Sequence, residues 1–311
     1  MADCLLLTTD ADEFAEEIER HADFPLRIIA SRSPDQALAE YRGQSVVLGE
    51  PGMIAAVLEN MPEVEWVQST WAGVTPLISC ERRDYVLTGV KGIFGPQMSE
   101  YVLGYLLAHE LRVVERAQAQ RKHRWAATPS GVLQGKRLGV MGTGSIGQHI
   151  ARVAASFGVS VTGLSRSGAA APVFETVRPV EQLYEFLEGI DYLVSTLPQT
   201  DATANLLDAA ALAKLHRHAY FINVGRSNVI DDAALIDALH NGGIAGAVLD
   251  VFDEEPLPDD SPLWDTPNLS ITAHIAAISH PELIAPIFID NYRRYVQGQP
   301  LQYVVDFNAG Y

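Results

Sequence analysis

One stretch of this chain constrains the fold more than any other. It reads Lys136-Arg137-Leu138-Gly139-Val140-Met141-Gly142-Thr143-Gly144-Ser145-Ile146-Gly147. The apolar run from Leu138 to Met141 predicts a strand. The turn after it has the spacing G-x-G-x-x-G. An amphipathic helix is predicted beyond the turn from Ile146, Ile150, Val153, Ala154 and Phe157. A second apolar strand is predicted from Val159 to Leu164. Gly142 permits the tight turn, Gly144 leaves the backbone open to a pyrophosphate, and Gly147 lets the helix lie close to the sheet. The N–H groups of Ser145 and Ile146 then face the phosphates, where the helix dipole favours negative charge. Strand, turn and helix together predict a dinucleotide site.

The end of the second strand selects the dinucleotide. An NAD site usually places an acid there to bind the ribose 2′-hydroxyl. This chain has Ser165-Arg166-Ser167 instead. A guanidinium between two hydroxyls suits a 2′-phosphate, because it offers paired, charge-assisted donors. The reading favours NADP(H), with NAD(H) as the alternative.

Short strands and helices alternate along the rest of the chain, which predicts an α/β fold with parallel sheets. In the first third, strands are predicted over 4–9, 26–30, 45–48, 64–69 and 85–90, and helices over 13–21 and 52–60. One long helix is predicted over 97–121 from Tyr101, Val102, Tyr105, Leu106, His109 and Val113. It could bridge two domains, and 311 residues suffice for two. Later strands are predicted over 192–196, 220–224, 245–249 and 269–272, with helices over 180–187, 209–215 and 233–241.

Composition narrows the partners. The net charge of −17 argues against nucleic acid and anionic membrane surfaces. Cys4 and Cys80 form neither a metal motif nor a disulfide framework. His216 and His218 lack a third ligand and read as surface residues, so no metal is expected. The start of the chain has no basic, apolar leader pattern, and no run reaches membrane-spanning length. The expected location is the cytoplasm.

Ligands of open parallel sheets bind beyond the carboxyl ends of the strands. That rule singles out Leu197-Pro198, Val224-Gly225-Arg226, Asp250 to Glu255, and His274. An Arg beside a small residue can clamp a carboxylate while the backbone lies against a nicotinamide. A His with a carboxylate nearby is a proton donor whose charged form the acid stabilises.

These tips carry a resemblance. Asn223-Val224-Gly225-Arg226-Ser227, Asp250-Val251-Phe252-Asp253-Glu254-Glu255-Pro256 and Thr272-Ala273-His274 resemble the Arg, Glu and His motifs of the D-isomer-specific 2-hydroxyacid dehydrogenases, in the glyoxylate/hydroxypyruvate reductase branch. Val67 to Val74 resembles the family's substrate loop, and Met98 to Val102 the start of its interdomain helix. The chain departs from the family at Ala273, where Pro is common, and at Ser227, where Gly is common. The resemblance implies two Rossmann-like, doubly wound parallel-sheet domains with a cleft between them. Residues 1–97 plus 282–311 would form the substrate domain, residues 98–281 the dinucleotide domain, and two copies a homodimer. It also implies reduction of a small 2-oxo acid. Arg226 anchors and polarises the substrate, and His274 with Glu255 supplies the proton. Asp250 and the Val224-Gly225 backbone hold the nicotinamide, and Trp71, Ala72 and Gly73 meet the substrate. Trp71 could narrow the pocket or pack between the domains. Two other readings stay open. One is a phosphite- or formate-type dehydrogenase of the same fold, and the other a non-catalytic NAD(P)-sensing protein.

Overall fold

The computed structural model describes residues 3 to 308. The first two residues of the stretch read for a leader, and the last three assigned to the substrate domain, lie outside them. The chain divides into two compact units. One holds the residues up to Ile93 and from Ser279 onward, and the other is Phe94–Ile278.

The smaller unit is built on β1 (Cys4–Leu7), β2 (Ile28–Ser31), β3 (Val46–Gly49), β4 (Trp66–Ser69) and β5 (Val86–Thr88). They pair in the order β2-β1-β3-β4-β5, every pair parallel. β1, β3 and β4 are buried at every residue, as expected for a parallel sheet covered on both faces. The helix Pro281–Val296 returns to this unit and buries Ile284, Phe288, Ile289 and Tyr292. Phe288 stacks on Trp66 at 5.5 Å. Buried Asn291 donates to Gln68 Oε1 and to the Gln302 carbonyl, both at 3.1 Å, and accepts the Gln302 N–H at 2.8 Å. A buried amide left unpaired would be costly, so this network fixes the returning segment to the sheet.

The larger unit is built on β6 (Arg137–Met141), β7 (Ser160–Ser165), β8 (Thr176–Pro179), β9 (Tyr192–Ser195), β10 (Tyr220–Asn223), β11 (Gly246–Leu249) and β12 (Leu269–Ile271). The order is β12-β11-β10-β9-β6-β7-β8, again all parallel. The chain runs outward from β6 through β7 to β8, then resumes at β9 on the other side of β6. The switch point therefore lies between β6 and β9, where doubly wound sheets leave a crevice for ligands. Buried side chains cover both faces, with Phe186, Phe221, Leu235 and Leu249 in one cluster and Leu138, Ile150, Val194 and Ile222 in the other.

Several elements differ from the expectation: the helices Pro34–Glu40 and Thr75–Ile78 are additional, and the helix predicted over 52–60 is a short helix, Pro51–Ala55, followed by a separate turn over Leu58–Asn60. The single helix predicted over 97–121 is two helices, Gly95–Glu110 and Val113–Arg121, separated by Arg112 in the left-handed region at φ 52°. The edge strand β8 was not predicted. It pairs only with β7 and is only partly buried, and it ends in Pro179, which an edge tolerates. Among the described residues no helix is long and apolar enough to cross a membrane.

Candidate active site

The glycine turn leaves β6 at the switch point and enters the helix Ser145–Ser156. Its three glycines are placed differently. Gly142 has φ +104°, and a Cβ on it would lie 2.5 Å from Thr196 Oγ1. A Cβ on Gly147 would lie 1.9 Å from the Gly142 carbonyl oxygen, so only glycine fits there. A Cβ on Gly144 would meet no atom of the chain within 4 Å. Bare backbone thus faces open space at the start of a twelve-residue helix whose first turn has no side-chain cap and no acid. Uncapped N–H groups and the positive end of the helix dipole fit a diphosphate. Ser145 and Ile146 begin this helix. Leu197 and Pro198 lie beyond β9, whose tip Thr196 ties to β6 by donating to the Met141 carbonyl at 3.2 Å. Ser165 ends β7, and Arg166 and Ser167 follow it exposed. The Ser165 hydroxyl accepts the Gly168 N–H at 3.1 Å, closing that turn.

Three side chains gather at the tips of β10, β11 and β12. His274 Nδ1 lies 2.8 Å from Glu255 Oε2, and both side chains are exposed. The other Glu255 oxygen accepts the Phe252 N–H at 2.9 Å, which orients the carboxylate. Arg226 is partly buried. Burial pulls its guanidinium below the ordinary range, and the negative charge of Glu255 opposes that shift. A guanidinium stripped of water interacts more strongly with an anion than a solvated one. An exposed ion pair stabilises a fold by about 0–1 kcal/mol. Holding His274 at φ +53°, a left-handed conformation rare outside glycine, costs about 1–3 kcal/mol. The arrangement is therefore not explained by stability, and strain of this kind concentrates where side chains are held for chemistry.

In the smaller unit, Trp71, Ala72 and Gly73 follow β4. Trp71 is 42% exposed. Its N–H donates to Ser69 Oγ at 3.0 Å, and that hydroxyl donates to the Trp71 carbonyl at 2.8 Å. Ser279 Oγ donates to the Thr70 carbonyl at 2.7 Å. Two serines thus fix the backbone before Ala72 and Gly73. His216 and His218 stack at 5.1 Å, and His218 Nε2 lies 2.9 Å from Asp191 Oδ1. Among the described residues no group of three or more His, Cys, Asp or Glu side chains could hold a metal ion.

The model of the D-isomer specific 2-hydroxyacid dehydrogenase NAD-binding domain matches residues 103–276. The chain is 32% identical over 293 residues to a glyoxylate/hydroxypyruvate reductase A of Serratia proteamaculans, covering 94% of this chain and 89% of that protein. The chain belongs to the D-isomer specific 2-hydroxyacid dehydrogenase family. A family member from Aeromonas salmonicida superposes with a TM-score of 0.93 at 40% identity, covering 98% of this chain and 99% of that one. An NADPH-dependent glyoxylate/hydroxypyruvate reductase from Sinorhizobium meliloti, solved with NADP and sulfate, gives 0.90 at 29% identity over the full length of both chains.

This 2-hydroxyacid dehydrogenase also has supporting residues that its sequence does not single out. Asn223 is buried at the end of β10. Its Oδ1 accepts the Gly225 N–H at 3.1 Å and its Nδ2 donates to the Arg226 carbonyl at 3.0 Å. The amide therefore shapes the turn that presents Arg226, whose Nη1 donates to the Gly225 carbonyl at 2.6 Å. An Asn two residues ahead of a glycine is a recognisable turn signal. Asp250, read from the sequence as a nicotinamide contact, is 1% exposed, and its carboxylate is engaged by its own chain.

Proposed function

We propose that this dehydrogenase reduces small 2-oxo acids, such as glyoxylate or hydroxypyruvate, to D-2-hydroxy acids, with NADPH preferred over NADH. The observation that carries the reading is the 2.8 Å contact of His274 with Glu255, made at the tips of the sheet that also presents Arg226 and the glycine turn. The reduced nicotinamide, when bound, supplies a hydride to the keto carbon. Arg226 binds the substrate carboxylate and stabilises the negative charge that builds on the keto oxygen. His274 gives that oxygen a proton from Nε2, because Nδ1 is turned to Glu255. Glu255 fixes the tautomer and the plane of the ring. In the smaller unit, the N–H groups of Ala72 and Gly73 are candidate carboxylate contacts, and Trp71 limits the size of the substrate.

For the dinucleotide, the proposed contacts are Gly142, Gly144, Ser145, Ile146 and Gly147 at the diphosphate, with Leu197, Pro198, Val224, Gly225 and Asp250 toward the nicotinamide. Ser165, Arg166 and Ser167 take the 2′-phosphate. The absence of an acid beyond β7 and the NADP complex of the Sinorhizobium relative support that choice.

The test follows absorbance of the reduced cofactor with glyoxylate, hydroxypyruvate and pyruvate, each with NADPH and NADH. Faster oxidation of NADPH is expected, and no turnover with any of the three acids would remove the reading. Arg166→Ala is expected to raise the KM for NADPH about 10- to 100-fold and to leave that for NADH within about twofold, the effect of losing a charge-assisted contact. An unchanged KM for NADPH would remove Arg166 from the phosphate site.

A homodimer is the proposed assembly. It is supported by the helix Val113–Arg121, which buries none of its residues, and by exposed Leu111, Val114 and nearby Trp125, which is 95% exposed. Light scattering should give twice the mass of the chain, and a monomer's mass would discard the proposal. The free thiols of Cys4 and Cys80 suit the reducing cytoplasm.

A further inference from the structure

Three consecutive amides converge on one residue. The His274 N–H donates to the Asp250 main-chain carbonyl at 2.8 Å. The Ile275 N–H donates to Asp250 Oδ1 and the Ala276 N–H to Asp250 Oδ2, each at 2.9 Å. Thr272 Oγ1 donates to the same Oδ1 at 2.5 Å, and it also lies 2.6 Å from the hydroxyl of Tyr101. A carboxylate only accepts, so the Thr272 proton is committed to Asp250. The proton between the two hydroxyls must then come from Tyr101. Burial holds the Tyr101 phenol well above its usual range, so it keeps that proton. The bonds converge on the carboxylate: Tyr101 donates to Thr272, Thr272 donates to Asp250, and the Ile275 and Ala276 N–H groups that follow the reacting ring donate to Asp250 as well. Tyr101 belongs to the helix Gly95–Glu110, and 171 residues separate it from Thr272.

This hold bears on a strained residue. His274 sits at φ +53°. Ala273 before it places no ring on the backbone, so neither its own φ nor the conformation of Thr272 is restricted covalently. Hydrogen bonds must supply the restraint. We infer that Tyr101 and Thr272 are positioning residues, which act through Asp250 to keep the His274 segment in the left-handed turn that presents its imidazole. The inference rests on the functional reading of His274 given above.

The test compares Thr272→Val, Thr272→Ser and Tyr101→Phe in the full-length protein by two readouts. The first is amide hydrogen exchange over residues 272–278, measured without cofactor or substrate. Thr272→Val and Tyr101→Phe should speed exchange there, while Thr272→Ser, which keeps the hydroxyl, should match the parent. The second is kcat for 2-oxo acid reduction. Thr272→Val should lose about 10- to 100-fold in kcat, the scale of a misplaced reacting group, with KM for the acid within about twofold and with recovery in Thr272→Ser. Combined with His274→Ala, Thr272→Val should cost nothing further, because its effect passes through the imidazole. Unchanged exchange in both Thr272→Val and Tyr101→Phe would overturn the inference, as would an equal loss of kcat with and without His274. If Thr272→Val does not fold, Tyr101→Phe is put through the same exchange, kcat and His274→Ala comparisons. A His274→Ala protein as fast as the parent would instead strike the functional reading, and the exchange measurement would still decide the hold.

Discussion

Alanine in place of His274 is expected to lower kcat for 2-oxo acid reduction by about 10²- to 10⁴-fold, the range for removing a positioned general acid. The imidazole is exposed, and its Nδ1 is engaged by Glu255 at 2.8 Å, which leaves Nε2 free to act. Removing the ring breaks one exposed pair, worth about 0–1 kcal/mol, so the protein should fold as before. KM for the acid should change little if Arg226 anchors the substrate. Glu255→Gln should fall between the parent and the alanine variant, because an amide can still accept from Nδ1–H but brings no charge. Its single oxygen cannot serve both the ring and the Phe252 N–H, so the amide NH2 must face one of the two and the ring is held less firmly. A His274→Ala rate within about tenfold of the parent would mean that the proton comes from elsewhere, since a positioned acid is worth more than that.

Arg226→Lys is the second large effect. It should cut kcat/KM by about 10²- to 10³-fold, the size measured for loss of one donor to a developing oxyanion. Lysine keeps a charge but not the planar fork that meets a carboxylate with two parallel bonds. The site has a further bias against it. Burial already pulls the Arg226 guanidinium down, and a guanidinium has ample margin before it deprotonates. The same burial acting on an ammonium disfavours its charged form within reach of ordinary buffers. Residual activity of Arg226→Lys should therefore decline further as pH rises, while the parent shows no such loss from this group. A pH-independent deficit would mean that only the fork is missing. Activity equal to the parent's would mean that charge alone suffices and that the fork has no role.

Much of the larger unit was legible because it depends on local pattern. A strand, three glycines at fixed spacing and an apolar helical face lie within twenty-odd residues, and the apolar runs of β9, β10 and β11 are fully buried strands. Two of the elements misread in the larger unit lack a local mark. Leu111-Arg112-Val113 holds neither Gly nor Pro, so nothing in it announces that Arg112 turns left-handed and breaks the helix. β8 is short, partly polar and ends in proline, which reads as loop unless its pairing with β7 is known. At the site, strand ends flagged Arg226, Asp250 and His274, and the resemblance to a family linked Glu255 to His274. The Tyr101–Thr272 contact joins residues in separate elements, and no periodicity records such a meeting. Asn223 was in view within the arginine motif. Its task emerged only from the turn that its amide closes.

The glycine turn divides into a half that belongs to the protein and a half that belongs to its ligand. At Gly147 the missing side chain is filled by the carbonyl of Gly142, and at Gly142 by Thr196. Variation at those positions would be purged as misfolding, whatever dinucleotide a cell supplied. At Gly144 the space holds none of the chain's own atoms, and Arg166 stands exposed beyond β7. An engineer seeking to change the reductant thus has latitude at the arginine alone, because the open space at Gly144 is the place proposed for the diphosphate that both dinucleotides share.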